Sequence, residues 1–241
     1  MNDNCWLKKY CNQIDCNTFC MKFYKLNALY DMALIPLAKR EHVKLRIDDD
    51  GKDEQAFMTL KGIENDIVDF INSGKSLFLY SSTTGNGKTV WTLRMVEAYF
   101  NKIWAKSELK CRVLFISVPR FLLELKSSIS EKTEYIQHIN DNILDCDLVI
   151  WDDIATKLGT EFELSHLLSI IETRINNGKS NMYTSNLSGV DLNKAVGDRL
   201  YSRIQNYSDY VIELQGKDKR GIKEWYNYKY WTKFSTIKIL V

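Results

Sequence analysis

The chain has 241 residues, 45% of them hydrophobic, which suits one substantial α/β domain with a smaller appendage and excludes wholesale disorder. The formal net charge of +2 gives no global sign of nucleic-acid binding, so any basic surface must be local. No apolar run approaches transmembrane length and no signal peptide opens the chain, so we expect a cytoplasmic protein without a membrane partner.

Residues 1–50 read as a small helical appendage that contains four of the 6 cysteines. Cysteines in a cytoplasmic protein are reduced, metal-bound or buried, and two of them four residues apart share one face of a helix. A zinc site with four cysteine ligands would stabilise a segment too small to fold alone. The spacing is not the usual CxxC pair, so small buried thiols are the alternative. The four candidate ligands are Cys5, Cys11, Cys16 and Cys20.

Apolar residues recur at helical spacing from Met21 to Ala38, which predicts an amphipathic helix ending near Ile35-Pro36. Such a stripe either packs on the main domain or docks a partner, and the sequence alone does not separate the two. The charged run Asp48–Asp53 marks the break before the main domain. We expect residues 51–216 to form that domain and 217–241 a tail.

A phosphate-binding loop is predicted between a strand at Ser76–Ser81 and a helix at Val90–Phe100. Glycines let backbone N–H groups curl around an anion at the start of a helix, where those groups have no intrahelical partner. The sequence STTGNGKT matches the P-loop pattern GxxxxGK[ST] except that Ser82 replaces the first glycine. The candidate nucleotide-binding residues are Thr84, Gly85, Asn86, Gly87, Lys88, Thr89 and Val90, with the Thr89 hydroxyl as a ligand of Mg²⁺.

A second strand is predicted at Cys111–Val118, and a third, Asp147–Ile154, ends in paired acids. Ligands of open α/β sheets bind at the carboxyl ends of the strands, so these acids should face the same crevice as the P-loop. This pattern is typical of a Walker B strand. We expect Asp152 to hold Mg²⁺ and Asp153 to act as general base on the attacking water.

The remaining pattern predicts a helix from Glu161 to about Asn177, a strand at Ser180–Asn186, two helical stretches and a last strand at Tyr210–Leu214. Strands that alternate with helices indicate an α/β fold with a parallel sheet flanked by helices. The tail from Lys217 mixes basic and aromatic residues, which is typical of single-stranded nucleic-acid surfaces. The alternative is that its rings cover a sheet edge.

The order of the P-loop, the paired acids, the polar strand end and the run Gly197–Ile204 resembles that of the AAA+ ATPases. Within them it is most similar to the DnaC/DnaI-like replicative helicase loaders, particularly those of phages and mobile elements. The resemblance covers about Leu60 to Arg220.

The resemblance implies roles for four polar residues of the carboxyl-terminal half. Asn186 matches the residue that orients water near the γ-phosphate. Arg203 matches the arginine finger that reaches a neighbouring subunit's nucleotide, with Arg199 as its companion. Arg220 matches a phosphate sensor of its own subunit. A guanidinium stabilises charge that develops on phosphoryl oxygens, and a finger that acts on a neighbour requires a homo-oligomer.

The resemblance further implies an ATPase that uses ATP and Mg²⁺ to load a DnaB-type ring helicase onto single-stranded DNA, with residues 1–50 binding the helicase. The segment Pro119–Ser130 would contact DNA, through Arg120, Phe121 and Lys126. Two alternatives stay open: an IstB-like transposition ATPase, and an adaptor that binds ATP as a switch without hydrolysing it.

Overall fold

The computed structural model describes residues 5–9, 11, 19–42, 45, 51–127, 133–154 and 159–219. These residues contain a five-stranded sheet with the strand order β2-β3-β4-β1-β5, and every neighbouring pair is parallel. The strands are β1 (Ser76–Tyr80), β2 (Val113–Ser117), β3 (Leu148–Asp152), β4 (Ser180–Ser185) and β5 (Tyr210–Glu213).

Helices precede, connect and cover these strands. In chain order they are α1 (Met21–Met32), α2 (Glu54–Asn65), α3 (Ile67–Asn72), α4 (Lys88–Ile103), α5 (Val118–Ser127), α6 (Glu134–Asn142), α7 (Glu161–Asn176), α8 (Gly189–Val196) and α9 (Asp198–Gln205). Short 3₁₀ helices span Trp6–Lys9 and Leu37–Lys39.

The core consists of two apolar layers, one on each face of the sheet. Leu77 and Leu79 of β1 pack into one layer together with helices α1 to α4, whereas Phe78 packs into the other layer with α5 to α9. This division arises because successive side chains of a strand point to opposite faces. A parallel sheet covered by helices on both faces confirms the predicted α/β fold class.

Helix α1 is shorter than the sequence pattern predicts and belongs to the main core. It ends at Met32 rather than near Pro36, and Leu34 adopts a positive φ of 60° in the turn that follows. Leu26 and Leu29 are buried in the layer around β1, and the carbonyl of Ala33 accepts a hydrogen bond from the backbone N–H of Phe115, on β2. The apolar stripe of α1 therefore packs on the main domain.

Within the described ranges, no helix combines the length and the apolar character needed to cross a bilayer.

Candidate nucleotide-binding site

The P-loop connects β1 to α4, as predicted, and two of its glycines have left-handed backbones. The φ angle is 74° at Gly85 and 108° at Gly87, and Gly87 is the residue immediately before α4. A side chain at either position would be strained, because L-residues rarely adopt such angles. The start of a helix presents backbone N–H groups that can bind an anion, and the positive end of the helix dipole also favours an anion there. The two glycine turns place the P-loop at this end of α4.

Ser82, which departs from the consensus glycine, needs no glycine-like backbone in this fold. Among the described non-glycine residues, positive φ angles occur at Leu34 and Asp153, so Ser82 is not one of them. The conformational freedom of glycine is therefore not required at position 82, and the loop forms with serine there.

Lys88 is the first residue of α4 and is only 6% exposed. Its Nζ donates to the carbonyl oxygen of Thr83 at 3.1 Å, and to the carbonyl of Ser81 and Oδ1 of Asn86, both at 3.4 Å. All three acceptors are neutral. A phosphate oxygen makes a stronger, charge-assisted hydrogen bond with an ammonium group, so the position suits a phosphate-binding lysine.

The Asn86 side chain holds the loop to the rest of the domain. It is 2% exposed, and its Nδ2 donates to the Ser81 hydroxyl and, at 3.0 Å, to the carbonyl of Leu214. Since these bonds occupy the amide nitrogen, a nucleotide contact of Asn86 would involve its backbone rather than that nitrogen, and the contact stays a prediction.

The segment after β5, residues 214–219, lies against the P-loop and is fixed at three further points. The backbone N–H of Lys219 donates to the Gly85 carbonyl at 2.9 Å. The carboxylate of Asp53, which is 5% exposed, accepts from the N–H of Gln215 at 2.6 Å and of Gly216 at 2.9 Å. The sequence analysis placed Asp53 in the charged break before the domain and gave it no role at the site, since its partners lie more than 160 positions away along the chain.

The structure brings together the two predicted Mg²⁺ ligands, one on α4 and one on β3. The Thr89 hydroxyl donates to Oδ1 of Asp152 at 2.9 Å. Burial raises the pKa of the Asp152 carboxyl, while hydrogen bonds from Thr184 and Thr89 oppose that shift. A hydroxyl and a carboxylate are the hard oxygen ligands that Mg²⁺ prefers, so these two residues fit the ion.

Thr184 on β4 fixes both acids of the predicted Walker B strand, although the sequence analysis did not select it. Its hydroxyl donates to Oδ1 of Asp152 at 2.8 Å and accepts from the backbone N–H of Asp153 at 2.9 Å. The backbone at Asp153 has a φ of 58°, which is costly for a non-glycine residue and needs such support. The sequence signal that could have identified Thr184 was a polar residue within a strand of the predicted sheet.

Asn186 immediately follows β4 and is partly exposed. The sheet places β4 between β3, which carries Asp152 at its end, and β1, which leads into the P-loop. Because the strands are parallel, the ends of all three lie at the same edge of the sheet. This position agrees with the predicted water-orienting role of Asn186, which stays a prediction.

The predicted arginine finger lies on α9 and contacts α7. Oε1 of Glu172 accepts from Nε of Arg203 at 3.1 Å and also from its Nη2. The guanidinium carbon lies 4.7 Å from the ring centroid of Tyr207. Arg199 lines a groove between the same two helices. The predicted phosphate sensor, Arg220, lies outside the described residues.

The structure gives no support to the zinc hypothesis. Cys5, Cys11 and Cys20 are free thiols, and Cys16 lies outside the described residues. In the part of the chain that the structure describes, no three His, Cys, Asp or Glu side chains are grouped so as to hold a metal ion.

The structure corrects the prediction for one residue of the segment Pro119–Ser130, which was expected to contact DNA. Phe121 is fully buried in the core, so it cannot stack on a base without leaving that core. Lys126 forms an ion pair with Glu163 at 3.2 Å. Arg120 and Lys126 are both exposed, and the Arg120 guanidinium carbon lies 4.1 Å from the centroid of the Tyr135 ring.

Comparison with known protein families identifies the domain. The family model of the bacterial DnaA ATPase domain matches residues 54–207. The chain belongs to the DnaA ATPase domain family. It is therefore an AAA+ ATPase with a role in DNA replication, and the P-loop and the Walker B strand both fall within the matched residues of this DnaA-type domain.

Solved structures share the fold of this DnaA-type domain. The crystal structure of the DnaC helicase loader has a TM-score of 0.54 and 20% identity, over 78% of this chain and 98% of that one. DnaI gives 0.53 and 20% over 76% and 92%, and AMPPCP-bound DnaA from Aquifex aeolicus gives 0.52 and 21% over 70% and 48%. Identities this low establish similarity of fold. No curated protein sequence matches the chain.

Proposed function

We propose that the protein loads a replicative ring helicase onto single-stranded DNA and hydrolyses ATP at the junctions between its subunits. The observation that carries this proposal is the pairing of Thr89 with Asp152 beside the P-loop, in a fold that also matches 98% of the crystallised chain of a helicase loader. The Thr89–Asp152 pair supports nucleotide hydrolysis. The similarity of fold supports helicase loading over the other tasks of replication ATPases.

The hydrolysis site is assembled from three neighbouring strand ends. Lys88 and the N–H groups of the P-loop bind and orient the β- and γ-phosphates of ATP. Asp153 accepts the proton of the attacking water, and Asn186 orients that water. Mg²⁺, when bound by Thr89 and Asp152, neutralises negative charge on the phosphate oxygens.

The arginine finger makes the site depend on a second copy of the chain. Among the described residues, the polar and ring contacts of Arg203 are to Glu172 and Tyr207, on the α7–α9 side, and include no residue of the P-loop. A guanidinium there serves the nucleotide of a neighbouring subunit. ATP binding then favours assembly, and hydrolysis loosens the junction.

The surface proposed for single-stranded DNA is a groove of about 610 Å³ next to the start of α5 and along α6. Arg120 and Tyr135 line it as a stacked pair, and the lining also includes His138 and the carboxylates of Glu134 and Asp141. A guanidinium beside an aromatic ring suits phosphate and base contacts on one strand.

The helicase-binding role is proposed for residues 1–50. The part of this region that contains α1 packs into the ATPase core through Leu26 and Leu29, so the two regions are physically coupled. Three large apolar side chains at the start of α1 stay at least half exposed, which leaves surface for a partner. They are Phe19, Met21 and Tyr24.

The test combines turnover with helicase capture. ATPase rates are measured for the purified protein alone, with an oligo(dT) strand, with the DnaB-type helicase of the same genome, and with both. A pull-down of that helicase is run in parallel. The loader proposal predicts capture of the helicase and stimulation by the strand, and predicts that Arg120→Ala weakens the stimulation. The matched control is Lys110→Ala, an exposed cation outside the groove.

Three results would contradict the proposal in different ways. Turnover without helicase capture, accompanied by binding to duplex DNA, would favour a transposition ATPase. Nucleotide binding and helicase capture without turnover would favour an adaptor that uses ATP as a switch. If the oligo(dT) strand stimulates the ATPase rate of Arg120→Ala as much as that of the wild type, the groove is not the DNA-binding surface. The rest of the proposal is then unaffected.

A further inference from the structure

We infer that Glu172 is the positioning residue of the arginine finger: it holds the Arg203 guanidinium in the orientation from which it reaches the neighbouring subunit's nucleotide. This inference rests on the proposed trans role of Arg203. Glu172 lies 31 residues before Arg203 along the chain, and the sequence analysis did not select it.

The Arg203 guanidinium is contacted along one of its edges and on one of its faces. Nε and Nη2 both donate to Oε1 of Glu172, which fixes the edge that carries these two nitrogens. The ring of Tyr207 lies 4.7 Å from the guanidinium carbon and covers a face. The edge that carries Nη1 is directed away from Glu172, because the five N–H donors of arginine form a planar fork. A phosphate can therefore be bound at that edge while Glu172 keeps its own bonds.

The pair is placed where it can act between subunits. The side chains of Arg203 and Glu172 are 27% and 29% exposed, so the pair is neither buried in the core nor fully solvated. The hydrogen bond from Arg203 lowers the pKa of the Glu172 carboxyl, which keeps it ionised at neutral pH. Arg199 lines the groove between α7 and α9 together with Glu172, so a second positive charge lies near the Glu172 carboxylate.

Orientation matters because an arginine side chain has many rotamers, and a finger that is already fixed loses less freedom when it engages phosphate. An electrostatic group accelerates a reaction most when it is held in place before charge develops. Loss of Glu172 should therefore lower the rate of hydrolysis at the partner's site. Binding of ATP should be unchanged, since Glu172 does not contact its own subunit's P-loop.

The experiment uses mixed oligomers of two full-length variants. The acceptor carries Arg203→Ala, so it has an intact nucleotide site but no finger. The donor carries Asp153→Asn, so it supplies a finger but does not hydrolyse ATP itself. Turnover in the mixture comes from donor fingers acting on acceptor sites. The donor is then remade with Glu172→Gln, with Glu172→Asp, or with Glu108→Gln as the control for loss of one surface carboxylate.

The inference predicts that Glu172→Gln in the donor lowers the restored kcat about tenfold, with the KM for ATP unchanged. Glu172→Asp recovers part of the rate, and Glu108→Gln leaves it at the level of the unmodified donor. A merely structural role would change the melting temperature of the donor, which is recorded for each variant, and would not produce this split between kcat and KM.

Two results overturn the inference, and they are distinguishable. If the unmodified donor restores no turnover to the acceptor, the trans role of Arg203 is wrong and the inference fails with it. If the donor restores turnover and Glu172→Gln leaves the rate unchanged or raises it, the finger stands and Glu172 does not position it.

Discussion

The hydroxyl of Thr184 lies 2.8 Å from Oδ1 of Asp152 and also accepts the backbone N–H of Asp153 at 2.9 Å. One side chain on β4 thus holds both acids at the end of β3. The contact follows from the register of the two strands, in which Trp151 pairs with Tyr183. It couples the strand that carries the metal ligand to the strand that leads to Asn186.

Replacing Thr184 with valine should lower kcat by on the order of tenfold to a hundredfold, because a displacement of a catalytic group by about 1 Å is costly. The similar volume of valine keeps the packing, so the loss arises from the two hydrogen bonds. Steady-state ATPase rates measure the effect. Thr173→Val is the matched control, since the Thr173 hydroxyl bonds a carbonyl of its own helix, α7. Equal rates for both variants would remove Thr184 from the site.

Replacing Asp152 with asparagine should stabilise the protein at neutral pH while abolishing Mg²⁺-dependent turnover. The amide keeps an Oδ1 that accepts from Thr89 and Thr184 but carries no charge. Burial raises the pKa of the Asp152 carboxyl above its ordinary value, so the folded chain holds this proton more tightly than the unfolded chain does. Stability from this group is therefore present below the unfolded pKa and falls as the pH rises towards the folded pKa.

Thermal melts at pH 4 and pH 7 check this sign. The Asp152→Asn variant should gain more over the wild type at pH 7 than at pH 4, and addition of MgATP should raise its melting temperature less. The control is Asp145→Asn, at an exposed position in the turn before β3. A lower melting temperature of Asp152→Asn at pH 7 would show that the carboxylate stabilises the fold and would contradict the prediction.

Replacing Lys88 with alanine should weaken ATP binding by on the order of tenfold to a hundredfold, since a hydrogen bond to a charged group contributes about 1.5–3 kcal/mol. Isothermal titration calorimetry with a non-hydrolysable ATP analogue measures the dissociation constant. Lys102→Ala, at the far end of the same helix α4, controls for loss of one positive charge. Unchanged affinity in Lys88→Ala would mean that the phosphates bind elsewhere.

Replacing Asp53 with alanine should destabilise the protein by about 1–3 kcal/mol, because the buried backbone N–H of Gly216 and the partly buried N–H of Gln215 lose their acceptor. The segment 214–219 should exchange its amide hydrogens faster, at Gly216 above all. Urea denaturation and hydrogen exchange provide the two measurements. Asp66→Ala is the control, an exposed residue at the start of α3 whose side chain makes no capping hydrogen bond. Exchange at Gly216 that stays slow would contradict the role of Asp53.

The strands and the long helices could be predicted from the sequence because their signals are local. The local pattern predicted all five strands, four from apolar runs and β4 from a short run with a polar end, and the predicted ends differ from the observed ones by a few residues at most; α7 begins at Glu161 as expected. The local pattern predicted the wrong helix end where the chain turns within an apolar stretch: helix α1 ends at Met32, before Leu34 and short of the predicted end near Ile35-Pro36.

The candidate site divides in the same way. The sequence by itself determined the P-loop and the Walker B acids, since their residues are neighbours in the chain and their chemistry follows from residue type and spacing. Only the tertiary structure paired Thr184 with Asp152, Glu172 with Arg203 and Asp53 with Gly216. It also placed Phe121 in the core. The physical reason is that these contacts depend on strand order and helix packing, which the free energy of the whole fold decides and no local periodicity encodes.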